Sequence, residues 1–426
     1  MIPAGYKQTE IGVIPEDWGV IPFSKCFDTI KNNTLSRAEL NYDSGNIRNI
    51  HYGDVLINFP SIVDCQKETI PYVNEDATDS TGNIFLQDGD VVIADTAEDN
   101  TVGKAVEVFN IGDSKVVAGL HTMPCRPKNK FAEKFLGYYI NARVFHDQII
   151  PFITGTKVSS ISKKAIDDTT VLVPPFAEQK RIAEALSDVD ELIASLEKLI
   201  EKKKALKQGV MQELLTGKRR LPGFTGEWSL YRVGDMGVFY SGLSGKSKSD
   251  FESGGSKYIT FLNVLSNTII DTSILGSVNI KINEQQNQVK KGDLFFNTSS
   301  ETPDEVGMCS VLNTSLDNTY LNSFCFGYRL KNDAHCPLFL SYYFNSFMGR
   351  KIMTILAQGA TRYNLSKNNF ADTLIKLPQK NEQLAISSVL LDSEIEISNL
   401  RKKLEKIQKF KYGIMSELLT GKIRLV

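Results

Sequence analysis

The feature of this sequence that most constrains its fold is an internal duplication. The stretch GVMQELLTGKRRL at residues 209–221 recurs as GIMSELLTGKIRL at residues 413–425, an offset of 204 residues. Self-similarity at a fixed offset indicates repeated structural units. We therefore expect a tandem pair of units of roughly 200 residues each. The two copies are similar in their C-terminal thirds and divergent in the rest.

The same offset pairs residues with distinctive chemistry well upstream of the repeated ends. A slip of one residue is needed only for the earliest pair, Gly89-Asp90 with Gly292-Asp293. The other aligned pairs are Val102-Gly103 with Val306-Gly307, Gly155 with Gly359, Ser162-Lys163 with Ser366-Lys367, Pro174 with Pro378, and Glu178-Gln179 with Glu382-Gln383. The two tryptophans of the chain, Trp18 and Trp228, lie near the start of each copy.

Each C-terminal third predicts one long helix. Its apolar residues recur at alternating steps of four and three, the heptad spacing of one helix packing on another. They are Ile182, Leu186, Val189, Ile193, Leu196 and Ile200 in the first copy, and Ile386, Leu390, Ile397, Leu400, Leu404 and Ile407 in the second, where Ser393 occupies one place. Pro174 and Pro378 predict starts just downstream, and Gly217 and Gly421 predict stops. We expect the two helices to pair as an antiparallel coiled coil, because a whole domain lies between them.

The divergent parts predict mixed domains. Short apolar runs such as VLINF (55–59), DVVIAD (90–95), KYITFLNVL (257–265) and DLFFNT (293–298) are typical of strands, and one aromatic helical segment closes each part (131–145 and 337–353). The predicted fold class is α/β, with two similarly folded mixed α/β domains separated by the two long helices in a pseudo-twofold tandem repeat. The predicted boundaries are 1–155, 156–221, 222–358 and 359–426.

Composition indicates a soluble protein of the cytoplasm. The chain has a net charge of −1, 42% hydrophobic residues and no apolar run of membrane-spanning length, and its N-terminal sequence does not resemble a signal peptide. Six scattered cysteines without a CxxC pair argue against disulfides or zinc. Basic residues exceed acidic ones only in residues 156–221 (13 against 10) and 359–426 (12 against 7). Non-specific coating of nucleic acid is therefore not expected.

No motif in the sequence predicts catalysis. The VPPF stretch at 173–176 has Val173 where a methyltransferase loop needs a polar residue, and it is interpreted as a helix entry. A phosphate-binding loop at 240–247 would need glycine in place of Tyr240. The four histidines lack metal-ligand spacing. No catalytic or metal-binding residue is assigned, and the chain is expected not to be an enzyme.

The repeated segments resemble those of a known family. The stretch VPPFAEQKRIAEALSDVDELI (173–193), its echo LPQKNEQLAISSVLLDSEIEI (377–397) and the twin ELLTG ends are similar to the specificity subunit of type I restriction-modification systems. The resemblance implies two target recognition domains, each reading one half of a bipartite, asymmetric double-stranded DNA site. It also implies that the helices act as a ruler and as the docking platform for two methyltransferase subunits, alongside restriction/translocase subunits. The S-adenosylmethionine, ATP and Mg²⁺ of such a complex are expected on the partners, with no cofactor in this chain and no membrane contact.

The predicted DNA contacts come from two kinds of loop. In TGTKVSSISKK (154–164) and QGATRYNLSKN (358–368), a glycine and an Ile/Leu-Ser-Lys triplet frame five residues, 156–160 and 360–364, that differ between the copies. Such framed variability is what readout of base edges would produce. The second kind comprises the polar loops 31–37 and 241–250. The predicted contacts are Lys31, Arg37, Lys157, Ser159, Ser160, Lys163, Lys246, Lys248, Arg362, Tyr363, Asn364 and Lys367.

Other interpretations remain open at this point. The loop residues could be ordinary solvent-facing ones, and the Lys-rich helix stretches could form ion pairs such as Glu201–Lys204 and Glu405–Lys409 instead of touching phosphates. The whole chain could be a coiled-coil scaffold without sequence-specific DNA binding, or the specificity subunit of a methylation-only complex. A self-sufficient methyltransferase is disfavoured because its loops are missing.

Overall fold

The computed structural model describes residues 2–82, 84–99, 101–155, 157–251 and 254–425. It divides into two compact units. Unit 1 comprises Met1–Glu197 and Lys402–Val426, and unit 2 comprises Lys198–Arg401. In the described part of the chain, no helix is both long and apolar enough to cross a membrane.

The strands of unit 1 are short. They are β1 (Tyr6–Thr9), β2 (Gly12–Pro15), β3 (Gly19–Pro22), β4 (Phe27–Thr29), β5 (Leu40–Asn41), β6 (Ile47–Ile50), β7 (Ile62–Asp64), β8 (Tyr72–Val73), β9 (Val91–Ala94), β10 (Thr96–Ala97), β11 (Ala105–Phe109), β12 (Lys115–Ala118), β13 (Thr122–Pro127), β14 (Ser159–Ser160) and β15 (Thr170–Val173).

Unit 2 contains a similar set. Its strands are β16 (Ser229–Arg232), β17 (Gly237–Ser241), β18 (Ser256–Ile259), β19 (Gly276–Val278), β20 (Leu294–Asn297), β21 (Ser299–Ser300), β22 (Cys309–Val311), β23 (Thr319–Leu321), β24 (Cys325–Leu330), β25 (Ala357–Gln358), β26 (Tyr363–Leu365) and β27 (Leu374–Leu377).

Two of the α-helices are far longer than the others. The α-helices are α1 (Phe23–Cys26), α2 (Phe135–Ile140), α3 (Arg143–Ile149), α4 (Lys163–Asp167), α5 (Phe176–Leu214), α6 (Val233–Met236), α7 (Phe261–Ser266), α8 (Pro337–Asn345), α9 (Phe347–Leu356), α10 (Lys367–Ala371) and α11 (Lys380–Leu418). Both α5 and α11 have 39 residues. The chain leaves each helix through a glycine with left-handed backbone, Gly217 (φ +72°) and Gly421 (φ +71°), as predicted.

The two units have the same strand connectivity. The order β4-β13-β9-β11 in unit 1 corresponds to β17-β24-β20-β22 in unit 2, and β7 extends only the first sheet. In both units a second small sheet contains a parallel pair, β6 with β12 and β18 with β23. The strand before each long helix pairs with one near the start of its repeat, β15 with β3 and β27 with β16. The prediction of two similarly folded mixed α/β domains is therefore confirmed.

The strand prediction at 55–59 was wrong, and the one at 257–265 was wrong in part. Asp54–Asn58 forms a π-helical turn where a strand was predicted, and the Asp54 carboxylate accepts a hydrogen bond from the Asn58 amide within it. The run at 257–265 is a strand only at its start. Thr260 then caps α7 by accepting from the Asn263 backbone N–H. Periodicity alone does not distinguish a short buried helix from a strand.

The long helices pair in an antiparallel manner within each unit. In unit 2, Lys207 forms an ion pair with Glu394, and Lys203 with Glu396 at 2.6 Å. In unit 1, Lys411 Nζ lies 2.5 Å from Asp190 Oδ1. All the apolar heptad residues of the prediction are buried or half-buried. The predicted antiparallel helix pair is confirmed.

The beginning of each long helix is fixed to its domain by the Glu-Gln pair of the duplication. Gln179 accepts a hydrogen bond from the Ala132 backbone N–H at 2.9 Å, and Gln383 accepts one from Cys336 at 2.8 Å. Both glutamines also donate to the carbonyl of the proline five residues earlier. The two glutamates bind arginines of the repeated ends, since Glu178 pairs with Arg424 and Glu382 with Arg220. These residues, which carried the family resemblance, therefore hold the scaffold together.

The Gly-Asp and Val-Gly motifs are also structural. Asp90 and Asp293, each 1% exposed, accept two hydrogen bonds from Arg126 and Arg329 on the neighbouring strand. The turn carbonyls of Val102 and Val306 are held by side chains at equivalent helix positions, His146 and Arg350.

Candidate nucleic-acid interface

The framed loop forms a small antiparallel ladder beside the end of a central strand in each unit. In unit 1, β14 pairs with β10, which follows β9 after one residue, and the register places Ser160 opposite Thr96. In unit 2, β26 pairs with β21, which follows β20, and Asn364 lies opposite Ser299. The equivalent loops of the two copies therefore occupy the same place in the fold.

Backbone geometry explains why the glycine of each frame does not vary. Gly155 has φ +111° and Gly359 has φ +141°, a region that side-chain-bearing residues rarely adopt. A Cβ added at these positions would lie 1.9 Å from the Val158 carbonyl oxygen and 2.1 Å from that of Arg362. The loop closes on itself so tightly that only glycine fits.

The Ile/Leu-Ser-Lys triplet anchors the other end of the loop. Ile161 and Leu365 are buried, at 5% and 3% exposure. Ser162 and Ser366 cap the next short helices by accepting from the backbone N–H three residues later. The triplet therefore fixes the loop without restricting the residues inside the frame.

The framed residues are the exposed part of this arrangement. Lys157, Arg362 and Asn364 are exposed, whereas Ser159, Ser160 and Tyr363 are half-buried. Thr156, the first framed residue of the first copy, lies outside the described residues. In the described part of the chain, the Arg362 and Lys157 side chains form no ion pair with an acidic residue. Their charges are therefore available to a partner, and the assignment of DNA contacts here stays a prediction.

Lys367 connects the framed loop of unit 2 to the second kind of predicted loop. Lys367 Nζ donates to Ser241 Oγ at 3.2 Å, so in unit 2 the loops 358–368 and 241–250 meet. In unit 1, Lys163 and Lys31 are both exposed.

The other predicted contact residues of the loops 31–37 and 241–250 differ in side-chain exposure and in hydrogen bonding within the protein. Arg37 donates to the buried Asp54 carboxylate at 2.8 Å and to the Tyr42 hydroxyl, so its guanidinium holds the loop while 44% of its side chain stays exposed. Lys248 is exposed. The Lys246 side chain is only 4% exposed, and its ammonium donates to Glu284 and to the Asn279 carbonyl. Its position supports a structural role within the loop better than a phosphate contact.

A turn lies against each framed ladder, at residues 119–121 in unit 1 and 322–324 in unit 2, and neither turn was predicted from the sequence. His121 precedes β13 and Phe324 precedes β24, and both side chains are exposed. No motif marks these positions, because the two copies have different residues there. Only the hydrogen bonds of the folded chain identify them as equivalent.

The described residues show little that suggests bond chemistry. Among them, no group of three or more His, Cys, Asp or Glu side chains is arranged to hold a metal ion. All six cysteines are buried free thiols, and burial raises the pKa of Cys26 and Cys65 to about 11. Buried thiols of raised pKa are poor nucleophiles.

The chain is similar to known proteins over almost its whole length. The family model described as "Type I restriction modification DNA specificity domain" matches residues 15–208 and 225–409. The putative type I restriction enzyme MjaX specificity subunit of Methanocaldococcus jannaschii is 27% identical, with 99% of this chain and 97% of the relative covered.

Solved structures resemble the fold at low sequence identity. A chain from a study of complex assembly and conformational transition of the type I R-M system superposes with a TM-score of 0.60 at 16% identity, covering 96% of this chain and 99% of that one. The type I restriction-modification S subunit from M. genitalium gives a TM-score of 0.54 at 14% identity, covering 94% and 96%. Since the family model matches both copies of the duplication, the chain belongs to the type I restriction-modification DNA specificity family.

Proposed function

We propose that this chain is the DNA sequence-recognition subunit of a type I restriction-modification complex and that each unit reads one half of a bipartite, asymmetric site. The observation that carries the proposal is the contrast within the duplication. The same glycine, ladder and serine cap present Lys-Val-Ser-Ser in unit 1 and Thr-Arg-Tyr-Asn in unit 2. A frame that is kept while its exposed residues change is suited to reading two different base sequences.

The residues suit the contacts that such reading requires. Arg362 can bind guanine O6 and N7 in a bidentate manner, and Asn364 can bind adenine N6 and N7. Lys163 and Lys367, which are present in both copies, suit phosphate contacts that position the duplex without specifying sequence. A net charge of −1 favours weak binding by the chain alone, with partner subunits supplying much of the affinity.

The partners follow from the same proposal. Two methyltransferase subunits would dock on the helices and bring S-adenosylmethionine, and restriction/translocase subunits would bring ATP and Mg²⁺. In this assignment the chain discriminates between bases and forms or breaks no covalent bond. The absence of methyltransferase loops from the sequence supports it.

The test is mapping of modified bases in the host genome with and without the gene. We expect one two-part motif with a fixed gap to lose its methyl groups on deletion and to regain them on complementation. Complementation with a chain whose residues 157–160 are replaced by those of 361–364 should change one half of the motif and leave the other. A variant with alanine at Lys25, an exposed lysine outside the framed loops and the long helices, is the matched control and should restore the original motif.

The outcomes separate the proposal from its rivals. If the deletion changes no motif and the complex assembled with its methyltransferase binds random and selected duplexes equally, the chain is a protein scaffold and the proposal is wrong. Loss of methylation without any effect on restriction of unmodified DNA would identify a methylation-only complex.

A further inference from the structure

The turns that end at His121 and Phe324 occupy the same backbone position in the two units. The His121 carbonyl accepts a hydrogen bond from the Asp95 N–H at 3.1 Å, and the Phe324 carbonyl accepts one from Thr298 at 2.9 Å. The start of each turn is equivalent too, since Gly119 donates to the Ile50 carbonyl and Asn322 donates to that of Ile259. We call His121 and Phe324 the tip residues.

Each tip residue is connected directly to the framed loop. The Asp95 carbonyl accepts from the Ile161 N–H at 2.9 Å, and the Thr298 carbonyl accepts from Leu365 at the same distance. Asp95 and Thr298 therefore lie between the tip and the loop in both units. The tip belongs to the same exposed edge as the framed residues, although it lies about 40 residues before them in the sequence.

His121 is held in a conformation that suits presentation of its side chain. Its φ of +54° is left-handed, which is uncommon for a residue other than glycine and marks a position held by its surroundings. Its Nδ1 lies 3.4 Å from both Asp95 Oδ1 and Thr96 Oγ1, and the Tyr52 ring meets it edge-on at 5.2 Å. Even so, 47% of the side chain is exposed. The ring is oriented by its neighbours and still open to a partner.

Phe324 presents different chemistry at the same place. Its side chain is 56% exposed, so it contributes little to the core of unit 2. The turn itself is built by Asn322, whose side chain accepts from the Phe324 N–H at 2.8 Å, and it does not need an aromatic residue at position 324. An exposed apolar ring beside a polar reading loop is suited to contact with a thymine methyl group.

We propose that His121 and Phe324 are specificity-determining residues, each contacting base edges in the DNA half-site read by its own unit. His121 would hydrogen-bond to a base and Phe324 would make an apolar contact. This inference rests on the proposed function, because it names further readers of the same DNA. It predicts that the tip and the framed loop together, and not the loop alone, define each half of the motif.

The experiment uses the full chain in complex with its methyltransferase subunits and measures kcat/KM for methylation of duplexes that carry the mapped motif or one changed base pair. His121→Asn keeps a residue that tolerates the left-handed backbone, and it should relax discrimination in one half-site only. Phe324→Ala should relax the other half-site. A lost contact corresponds to a roughly 5- to 150-fold fall in discrimination at the affected base pair. Phe347→Ala removes a phenylalanine that is 64% exposed at the start of α9, and it is the matched control that should change neither half-site.

A second measurement uses the unaltered chain and does not depend on how the variants fold. Duplexes with 5-iododeoxyuridine in one half-site are photo-crosslinked to the wild-type complex and the attached peptides are sequenced. We expect peptides containing residue 121 from one half-site and residue 324 from the other. Phe324→Leu, which keeps an apolar side chain, should retain more discrimination than Phe324→Ala.

The outcomes distinguish this inference from the function on which it rests. A wild-type complex without sequence preference overturns both. A wild-type complex that reads a bipartite motif, with variants that discriminate equally well and no crosslink at either tip residue, overturns the tip assignment alone.

Discussion

Equivalent glutamates lie near the start of α5 in unit 1 and of α11 in unit 2, Glu178 and Glu382, but the hydrogen bonds that they accept differ. Glu178 accepts two hydrogen bonds from Arg424 and a third from the Trp18 indole N–H at 3.0 Å. Arg424 also reaches Asp17 at 2.8 Å. Glu382 binds Arg220 through the same two-pronged contact and receives nothing from the tryptophan of its repeat.

The difference lies in the accessory residues and not in the ion pair. Trp228 corresponds to Trp18 in its repeat, but its buried indole N–H has no hydrogen-bond partner in the part of the chain that the structure describes. Arg220 donates to the Gly226 carbonyl instead of to a second carboxylate. A duplicated scaffold thus keeps the buried ion pair, which would be costly to break, while the hydrogen bonds around it vary.

The largest expected effect is the loss of this ion pair. Glu178→Ala leaves the buried Trp18 N–H without a partner and Arg424 with only the exposed Asp17 carboxylate, and should lower the free energy of unfolding by about 3–5 kcal/mol. Glu382→Ala should cost about 1 kcal/mol less, because only the arginine loses its partner. Urea denaturation followed by circular dichroism measures both, and Glu10→Ala, at an exposed carboxylate outside this network, is the control. Equal losses in the two units would contradict the comparison.

A second difference between the units should appear as pH dependence. Burial raises the pKa of Glu107 to about 7, and the backbone N–H groups of Gly137 and Lys134 partly oppose this shift. The equivalent residue in unit 2 is Val311, a buried apolar residue that does not titrate. Since the folded pKa is raised from 4.5, stability should fall as pH rises from about 4.5 to 7 and stay low above that.

The magnitude of this effect is at most on the order of 3 kcal/mol, from about 1.4 kcal/mol per unit of pKa difference. The measurement is the free energy of unfolding of the wild type and of Glu107→Gln between pH 5 and pH 8. The difference between the two should grow toward low pH in favour of the wild type. Val311→Ala, at the equivalent position of unit 2, is the matched control and should shift stability equally at every pH.

The tryptophans offer a direct test of the unequal hydrogen bonds. Trp18→Phe removes a donor to a buried carboxylate and should cost about 1.5–3 kcal/mol for that bond in addition to the lost ring contacts. Trp228→Phe removes an N–H group that lacks a partner and should cost distinctly less. Denaturation monitored by circular dichroism avoids the change in fluorescence. A greater loss for Trp228→Phe would show that ring packing, and not the hydrogen bond, decides these positions.

The smallest expected effect tests where the units are alike. Gly209 in α5 and Gly413 in α11 are exposed, and an added Cβ would meet nothing within 4 Å at either position. Gly209→Ala and Gly413→Ala should each stabilise the protein by about 0.5–1 kcal/mol through helix propensity. Thermal unfolding of the single and double variants measures the increments. Unequal gains would reveal that the two helix ends differ despite their similar sequences.

Much of the scaffold could be predicted from the sequence because it depends on local spacing. The heptad residues, the prolines and the glycines predicted both the long helices and their limits, and the duplication predicted two similar domains. The pairing of Glu178 with Arg424 could not be predicted, since it joins residues 246 positions apart. A sequence pattern shows that both residues recur and does not show that they meet.

The candidate site was predicted less completely, for two physical reasons. Lys246 looks like a free cation in a polar loop, but the fold places Glu284 beside it and buries the side chain. His121 and Phe324 are different residue types, so comparing the copies by residue identity does not identify them as equivalent. Their equivalence is a property of backbone hydrogen bonds, which only the folded chain displays.

The division of the chain also has a consequence for protein synthesis. Unit 2 is one uninterrupted segment, whereas unit 1 is completed only by residues 402–426. Ile182 and Leu186 share a core cluster with Leu418 and Leu419, so their apolar surface is fully buried only after the last part of the chain has been made. At about 5–20 residues per second, a ribosome needs roughly 10–40 s to make the roughly 200 residues in between. During this interval residues 1–197 lack the C-terminal residues that complete the core of unit 1, and unit 2 can fold before unit 1 is complete.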